Sequence, residues 1–264
     1  MADKGYKYGP PLILALDTSS RLTSIALSRG AALIKSIEME SDDKRSEKLW
    51  VDIESLLADS KVTIKEVGLF GVCVGPGGFT GLRVGMSAIK GFATATGKPI
   101  IGVTSLEAAA AQEGPGSVAC ALVNAYKGEV YSQLFDIDKD GSPVALDAPL
   151  VSTLSEALER VGGRRSVVFT GNAALESAEL IKQVATQRSG PRPSGEMEEG
   201  GWTIKAQDQF IASSIARLSY LKFNRGELES DESLRAYYVR PAEAEVKLSL
   251  GLLGSKVRRS LKTG

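Results

Sequence analysis

The stretch Gly75-Pro-Gly-Gly-Phe-Thr-Gly-Leu-Arg-Val-Gly85 decides the fold of this chain. It follows an apolar run, residues 67–74, that predicts a buried strand. It leads into residues 79–96, whose pattern predicts a helix. A strand that passes through a glycine-rich turn into a helix places backbone N–H groups where they can face an anion or another backbone. The chain is therefore predicted to be an α/β protein organised around this turn.

The glycine turn does not match the two best-known phosphate-binding loops. It lacks the Gly-Lys-Ser/Thr ending of a Walker A loop. It also lacks the spacing of a Rossmann fingerprint, and a β-meander rather than a βαβ unit is predicted before it. Gly75, Gly77 and Gly78 are therefore predicted to turn the chain sharply and to position the helix.

Small residues line one face of the predicted helix 79–96. A glycine inside a helix costs about 1 kcal/mol relative to alanine, so such a face needs a reason, and close packing is the best one. The face can pack on the chain's own sheet or, as we prefer, contact a partner protein. The small residues are Gly81, Gly85, Ala88, Gly91 and Ala95. The predicted partner-binding residues of this helix are Gly81, Leu82, Gly85, Met86, Ala88, Ile89 and Phe92.

The segment 43–59 predicts an amphipathic helix with one apolar stripe. The stripe consists of Leu49, Trp50, Ile53, Leu56 and Leu57. Packing on the chain's own sheet is one explanation of the stripe. A contribution of Leu49, Trp50 and Ile53 to a partner-binding surface is the other.

The composition excludes several kinds of active site. The chain has 264 residues, 32 basic and 32 acidic side chains, and no histidine. The missing histidines exclude a Ser-His-Asp triad, an H-E-x-x-H zinc site and a Cys-His nucleophile. We therefore predict neither a catalytic nor a metal-ligating residue. Cys73 and Cys120 are predicted to be buried free thiols, and no run is apolar enough to cross a bilayer, so a cytoplasmic protein is expected.

The two halves of the chain repeat one pattern. Each begins with a strand that ends in a polar turn, continues with further strands, and then has a strand–glycine–helix unit. This repetition predicts a duplicated α/β unit in two subdomains. The predicted parts are an extension (1–11), an N-terminal subdomain (12–113), a C-terminal subdomain (114–205) with a flexible loop (187–201), a terminal helix and extended segment that pack back (206–241), and a tail (242–264).

The first of these polar turns contains the candidate nucleotide-binding residues. Asp17, Thr18 and Ser19 follow a buried strand, where a carboxylate and hydroxyls could hold a magnesium ion and phosphate oxygens. An ordinary turn is the alternative, because Asp and Ser are common turn residues.

Several motifs together resemble one protein family, the TsaB (YeaZ) family. The resemblance spans roughly residues 12–241. The motifs are Leu14-Ala-Leu-Asp-Thr-Ser-Ser20, Gly71-Val-Cys-Val-Gly-Pro-Gly-Gly-Phe-Thr-Gly-Leu-Arg-Val-Gly85, Gly97-Lys-Pro-Ile-Ile-Gly-Val-Thr-Ser-Leu106, Glu129-Val-Tyr131 and Tyr238-Val-Arg240.

The resemblance implies a fold and a function. The fold is the two-subdomain α/β fold shared by actin, sugar kinases and chaperone ATPases (the ASKHA fold), with a duplicated mixed-sheet unit. Family members are non-catalytic dimerisation subunits that pair with TsaD. Together with TsaE they take part in the synthesis of threonylcarbamoyladenosine on the tRNA adenosine next to the anticodon. Alone they often form homodimers, and they meet tRNA only through the complex. No cofactor is implied for this chain itself, although ATP or ADP at the complex interface stays open.

Two positions depart from the related proteins. Arg45 stands where the TsaD-like proteins have a metal-binding histidine, and Asn124 stands where an aspartate is frequent. Both departures argue against catalysis by this chain. An active ATPase or small-molecule kinase on the same fold is the alternative function, whereas a protease is disfavoured because no nucleophile–base pair is recognisable.

Overall fold

Five strands form the first sheet of the computed structural model, which describes residues 9–40, 45–189, 201–205, 210–230 and 232–239. The strands are β1 (Leu12–Asp17), β2 (Leu22–Arg29), β3 (Ala32–Glu40), β4 (Leu69–Gly75) and β5 (Ile100–Thr104). They lie in the order β3-β2-β1-β4-β5. Neighbours among β1, β2 and β3 are antiparallel, whereas β1, β4 and β5 are parallel.

The second sheet repeats this arrangement. Its strands are β6 (Val118–Asn124), β7 (Glu129–Ile137), β8 (Pro143–Ala145), β9 (Leu150–Thr153), β10 (Val167–Thr170) and β11 (Trp202–Ile204). The order is β11-β10-β6-β7-β8, and β9 also pairs with β7. Strand β6 is antiparallel to β7 and parallel to β10, which is parallel to β11. The predicted duplicated mixed-sheet unit is confirmed by this order and by these strand directions.

Helices cover both faces of the first sheet. The helices of the described residues are α1 (Arg45–Asp59), α2 (Phe79–Thr96), α3 (Ser105–Ala110), α4 (Leu154–Arg160), α5 (Asn172–Glu176), α6 (Ala178–Ser189) and α7 (Ala212–Asn224), besides a short 3-10 turn at Ile64–Glu66. Helices α1, α2 and α7 cover the first sheet, whereas α4, α5 and α6 pack on the second. Because side chains alternate along a strand, Leu14 and Leu16 of β1 face α1 and α2, whereas Ile13 and Ala15 face α7. The first subdomain is thus completed by a helix that follows the second sheet in sequence.

Helix α3 lies between the two sheets. Ala108 packs with the core of the first sheet, whereas Leu106 and Ala109 pack with the second. The helix begins with a capping box. The Thr104 hydroxyl accepts a hydrogen bond from the N–H of Glu107, and the Glu107 carboxylate accepts one from the N–H of Thr104. This short helix is therefore a shared element of both cores.

Some sequence predictions concern residues outside the described ranges. The first two residues of the predicted helix 43–59, most of the loop 187–201, and the tail 242–264 belong to this group. Within the described residues, none of the helices has the length and apolar character that a membrane span requires.

Candidate functional site

The glycine turn packs directly onto the turn that follows β1. The N–H of Gly78 donates a hydrogen bond of 2.6 Å to the carbonyl of Ser19. A Cβ atom on Gly77 would lie 2.5 Å from the same carbonyl oxygen. Gly75 has a φ of 104°, a conformation that favours glycine. Of the two arrangements that the sequence allowed, the turn therefore adopts the one in which it faces another backbone.

Close contacts with Thr18 explain why two positions of α2 hold small residues. Its hydroxyl donates a hydrogen bond of 2.7 Å to the carbonyl of Gly81. A Cβ atom on Gly85 would collide with the same hydroxyl oxygen. By contrast, a Cβ atom on Gly91 would meet nothing within 4 Å. The close approach to Gly81 and Gly85 is therefore made by the chain itself.

Most of the predicted partner-binding residues lie in the core of the first subdomain. Leu49, Leu82 and Ile89 have no exposed surface. The other buried members of the predicted set are Gly81, Gly85, Met86, Ala88 and Ile53. Within the chain these residues are core residues, because the faces of α1 and α2 that carry them pack on the first sheet or on the turn after β1.

Two predicted contact residues, Trp50 and Phe92, remain at the surface. The Trp50 side chain is 51% exposed, and its ring meets Phe92 edge-on with centroids 5.4 Å apart. Phe92 in turn stacks on the buried ring of Phe70 at 6.0 Å. Beside Phe92, exposed small residues recur on α2 at every fourth position. The α1–α2 ridge is defined here as Trp50, Ser87, Gly91, Phe92 and Ala95.

The candidate nucleotide-binding turn is buried, and its polar groups are used within the chain. Asp17, Thr18 and Ser19 are 2%, 2% and 3% exposed. The Asp17 carboxylate accepts a hydrogen bond of 2.9 Å from the N–H of Ser19, as in an Asx turn. The cavity between this turn, Ser105 and Asn172 has a volume of about 20 Å³, room for about one water molecule. A phosphate at Asp17 would therefore require the two subdomains to separate.

The two cysteines are buried and free, as predicted. Burial raises the pKa of the Cys73 thiol well above its usual range, and the nearby charge of Asp17 raises it further. Burial likewise raises the pKa of Cys120 to about 12. Both thiols stay protonated at neutral pH, which makes them poor nucleophiles.

Asn124 uses both ends of its amide to hold the turn after β6. Its oxygen accepts a hydrogen bond of 2.7 Å from the N–H of Tyr126, and its nitrogen donates one of 2.8 Å to the carboxylate of Glu176. The side-chain oxygen of Asn172 accepts from the N–H of Asn124 at 3.0 Å. An aspartate here would place a second negative charge against Glu176, so the amide suits this role.

The mouth of the cleft between the subdomains contains a cavity of about 240 Å³. Arg21 and Glu40 line it from the first subdomain, and Tyr126 and Glu176 line it from the second. Sites for small molecules usually measure about 300–1,000 Å³. Sequence reasoning missed Tyr126, whose φ of 62° is rare outside glycine.

Comparison with known proteins finds relatives in the family that the motifs resemble. Residues 39–158 match the family model "TsaD: tRNA N6-adenosine threonylcarbamoyltransferase". The chain is 28% identical over 193 residues to the tRNA threonylcarbamoyladenosine biosynthesis protein TsaB of Bacillus subtilis, covering 69% of this chain and 83% of that protein. It is 26% identical over 165 residues to TsaB of Escherichia coli, covering 60% of this chain and 71% of that protein.

A solved structure from another organism has a similar fold. The structure of YeaZ from Pseudomonas aeruginosa covers 86% of this chain and 100% of its own, with a TM-score of 0.66 at 22% identity. The sequence matches and the fold together support the TsaB (YeaZ) family. The two sheets of equal strand order are those of the actin/sugar-kinase-like fold, so the fold class predicted from the TsaB motifs is confirmed. The range that matches the TsaD model contains both helices of the α1–α2 ridge.

Proposed function

We propose that this chain is a non-catalytic subunit for threonylcarbamoyladenosine synthesis on tRNA, and that its α1–α2 ridge binds a TsaD-type subunit. The names of its TsaB relatives support the pathway. The exposed Trp50–Phe92 pair supports the surface, and it is the observation that carries this proposal. A TsaE-type subunit joins the pair. The chain alone forms a homodimer, and it contacts tRNA only through the complex. ATP or ADP binds at the interface of the complex.

The chemistry of the ridge suits a tight helical interface. A half-exposed tryptophan is a frequent hot spot in protein interfaces, because its large apolar surface is desolvated on binding. Gly91 and Ala95 leave the backbone of α2 accessible beside it, so a partner helix can approach closely. Large and small side chains in one surface give the shape that a helix pair needs.

The chemistry of the cleft supports a non-catalytic role. The chain contains no histidine to serve as a general base. The Asp17 carboxylate is 2% exposed beneath the glycine turn. Asn124, at the corresponding turn of the second subdomain, offers an amide that is already committed to Tyr126 and Glu176. Neither turn presents a free acid to a nucleotide.

Trp50→Asp tests the proposed pairing. Introducing a charge at the centre of the ridge should weaken binding to a TsaD-type subunit at least tenfold, because the carboxylate would be desolvated in the complex. Gel filtration of the mixed subunits measures the complex, and a threonylcarbamoyl transfer assay with and without this chain measures the function.

Leu180→Asp is the matched control, since Leu180 is a 42% exposed apolar residue on α6 of the second subdomain. This variant should bind like the wild type. If Trp50→Asp keeps its circular dichroism spectrum and still forms the complex, the ridge is not the pairing surface. ATP turnover by the isolated chain would instead support the kinase or ATPase alternative.

A further inference from the structure

The chain returns from α7 across the first subdomain as a strap, defined here as residues 226–230 and 232–239. Glu229 forms a β-bridge with Ile100 on the edge strand β5. The side chain of Lys90 donates a hydrogen bond of 3.0 Å to the carbonyl of Leu234, whose side chain is buried. The N–H of Tyr237 donates one of 2.7 Å to the carbonyl of Val74. The strap is therefore anchored to β5, α2 and β4.

A cavity of about 530 Å³ lies between this strap and the second subdomain. This volume falls within the range of about 300–1,000 Å³ that is usual for small-molecule sites. The second subdomain supplies an apolar wall that includes Pro143, Ala145 and Pro149. The first subdomain and the strap supply the charged groups Glu107, Lys222, Glu229 and Arg235. This cavity is distinct from the cleft mouth beside Tyr126.

Most of these charged groups are already satisfied. The Lys222 ammonium lies 3.0 Å from the Glu107 carboxylate and donates to the carbonyl of Gly102 at 3.3 Å. Glu107 also accepts hydrogen bonds from the N–H and the hydroxyl of Thr104. The Arg235 guanidinium donates to the carbonyls of Glu232 and Leu234 within the strap. Lys222 and Arg235 are thus committed to protein acceptors.

Glu229 is the exception. Its β-bridge to Ile100 fixes its backbone, and its carboxylate reaches over Gly102, where a Cβ atom would come within 3.2 Å of it. Among the described residues, none donates a hydrogen bond to this carboxylate or forms an ion pair with it. Burial raises the pKa of Glu229, the Lys222 charge opposes this rise, and the Glu107 charge adds to it. The half-buried Glu229 carboxylate therefore keeps acceptor capacity that a ligand with hydrogen-bond donors can use.

We propose that this cavity binds a small organic amine, with the ammonium group on Glu229 and an apolar body against Pro143 and Pro149. An ammonium group gives Glu229 both a counter-charge and a hydrogen-bond donor. The apolar wall selects a compact, hydrophobic body. Because both subdomains and the strap line the cavity, one ligand would contact all three.

Titration of the full-length chain with phenethylamine tests this site. Two probes of the same shape act as controls: 2-phenylethanol has no charge, and phenylacetate has the opposite charge. Isothermal calorimetry should show binding of the amine at least tenfold tighter than that of either control. Chemical-shift changes in NMR spectra should appear at Gly102, Ala145 and the strap. Equal binding of phenylacetate, or shift changes elsewhere only, would overturn the proposal.

Glu229→Gln should weaken amine binding at least tenfold, since it removes the charge but keeps the shape of the side chain. Glu227→Gln is the matched control, because Glu227 is exposed and lies outside the residues that line the cavity. Unchanged affinity in Glu229→Gln would contradict the proposal.

A pH series on the wild type gives a second test that does not depend on the variant folding. The other titratable groups that face Glu229 in the cavity are Glu107, Lys222, Arg235 and Tyr237. Since only ionised Glu229 attracts the ammonium, affinity should rise with pH through the raised pKa of Glu229 and then level off. An affinity that stays flat from about pH 4 to pH 7 would overturn the proposal.

Discussion

Gly85 and Gly91 lie on the same helix but have different surroundings. A Cβ atom on Gly85 would collide with the Thr18 hydroxyl, whereas a Cβ atom on Gly91 would meet open space. The sequence spacing places both residues on one predicted face and cannot distinguish them. What differs is the neighbour, Thr18, which comes from a distant part of the chain and is visible only in the fold.

Gly85→Ala should therefore destabilise the protein, by about 1–3 kcal/mol, because the turn after β1 must shift to admit a methyl group. Gly91→Ala should stabilise it by up to about 1 kcal/mol, because alanine is the better helix former at an exposed site. Urea unfolding measures both values. Equal effects of the two substitutions would show that Thr18 does not limit the space at Gly85.

The two thiols should react only when the protein unfolds. Cys73 and Cys120 are 2% and 1% exposed, and burial raises the pKa of each. Iodoacetamide at about pH 8 should leave both unmodified in the native protein, because a thiolate is needed for the reaction. Mass spectrometry across a urea series should show alkylation that follows the unfolding curve. Modification of either thiol without urea would reveal a local opening of its sheet.

At the level of single elements, helix α2 shows how far the sequence can be interpreted. Its predicted bounds, residues 79–96, agree with the structure because both ends have local signals: the glycine turn before Phe79, and Gly97, whose φ of 66° closes the helix. Its packing was not predictable in the same way. Leu82 and Ile89 are buried by the chain's own sheet. The exposed α1–α2 ridge lies on another side of the helix, beside Trp50.

Helix α3 gives a test at this scale. Thr104→Ala removes the capping hydrogen bonds to Glu107 and should cost about 1 kcal/mol of folding free energy. Thr153→Ala removes the same kind of box from α4, where the bonds are exposed. We expect the smaller loss there, about 0.5 kcal/mol. Urea unfolding measures both, and a larger loss for Thr153→Ala would contradict a special role of α3 between the sheets.

At the scale of the whole molecule, α7 connects the two subdomains. The Arg217 guanidinium donates hydrogen bonds to the carbonyls of Ala111 (2.7 Å), Gly141 (2.8 Å) and Asp140 (3.3 Å). Arg225 donates to the hydroxyl of Ser142 at 2.8 Å. Both arginines thus hold the turn between β7 and β8. The repeating pattern of strands predicted two subdomains. These contacts, however, join residues that lie 76 to 106 positions apart, so they leave no local signal in the sequence.

Arg217→Met should loosen this connection. Losing the charged hydrogen bonds to the partly buried carbonyls of Ala111 and Gly141 should cost about 2–3 kcal/mol, and hydrogen exchange should quicken in the turn at residues 138–142. Lys182→Met is the control, because its ion pair with Glu179 is largely exposed and should contribute at most about 0.5 kcal/mol. Unchanged exchange in the turn would show that the subdomains are held elsewhere.

The position of α7 in the chain has a consequence during protein synthesis. Ile13 and Ala15 face α7, yet α7 begins at Ala212, long after β5 ends at Thr104. A ribosome that adds about 5–20 residues per second needs roughly 5–20 seconds to cover this distance. Throughout that time the nascent chain carries an apolar sheet face without its cover. We expect chaperones to bind there, and we expect the second subdomain to finish folding before the first.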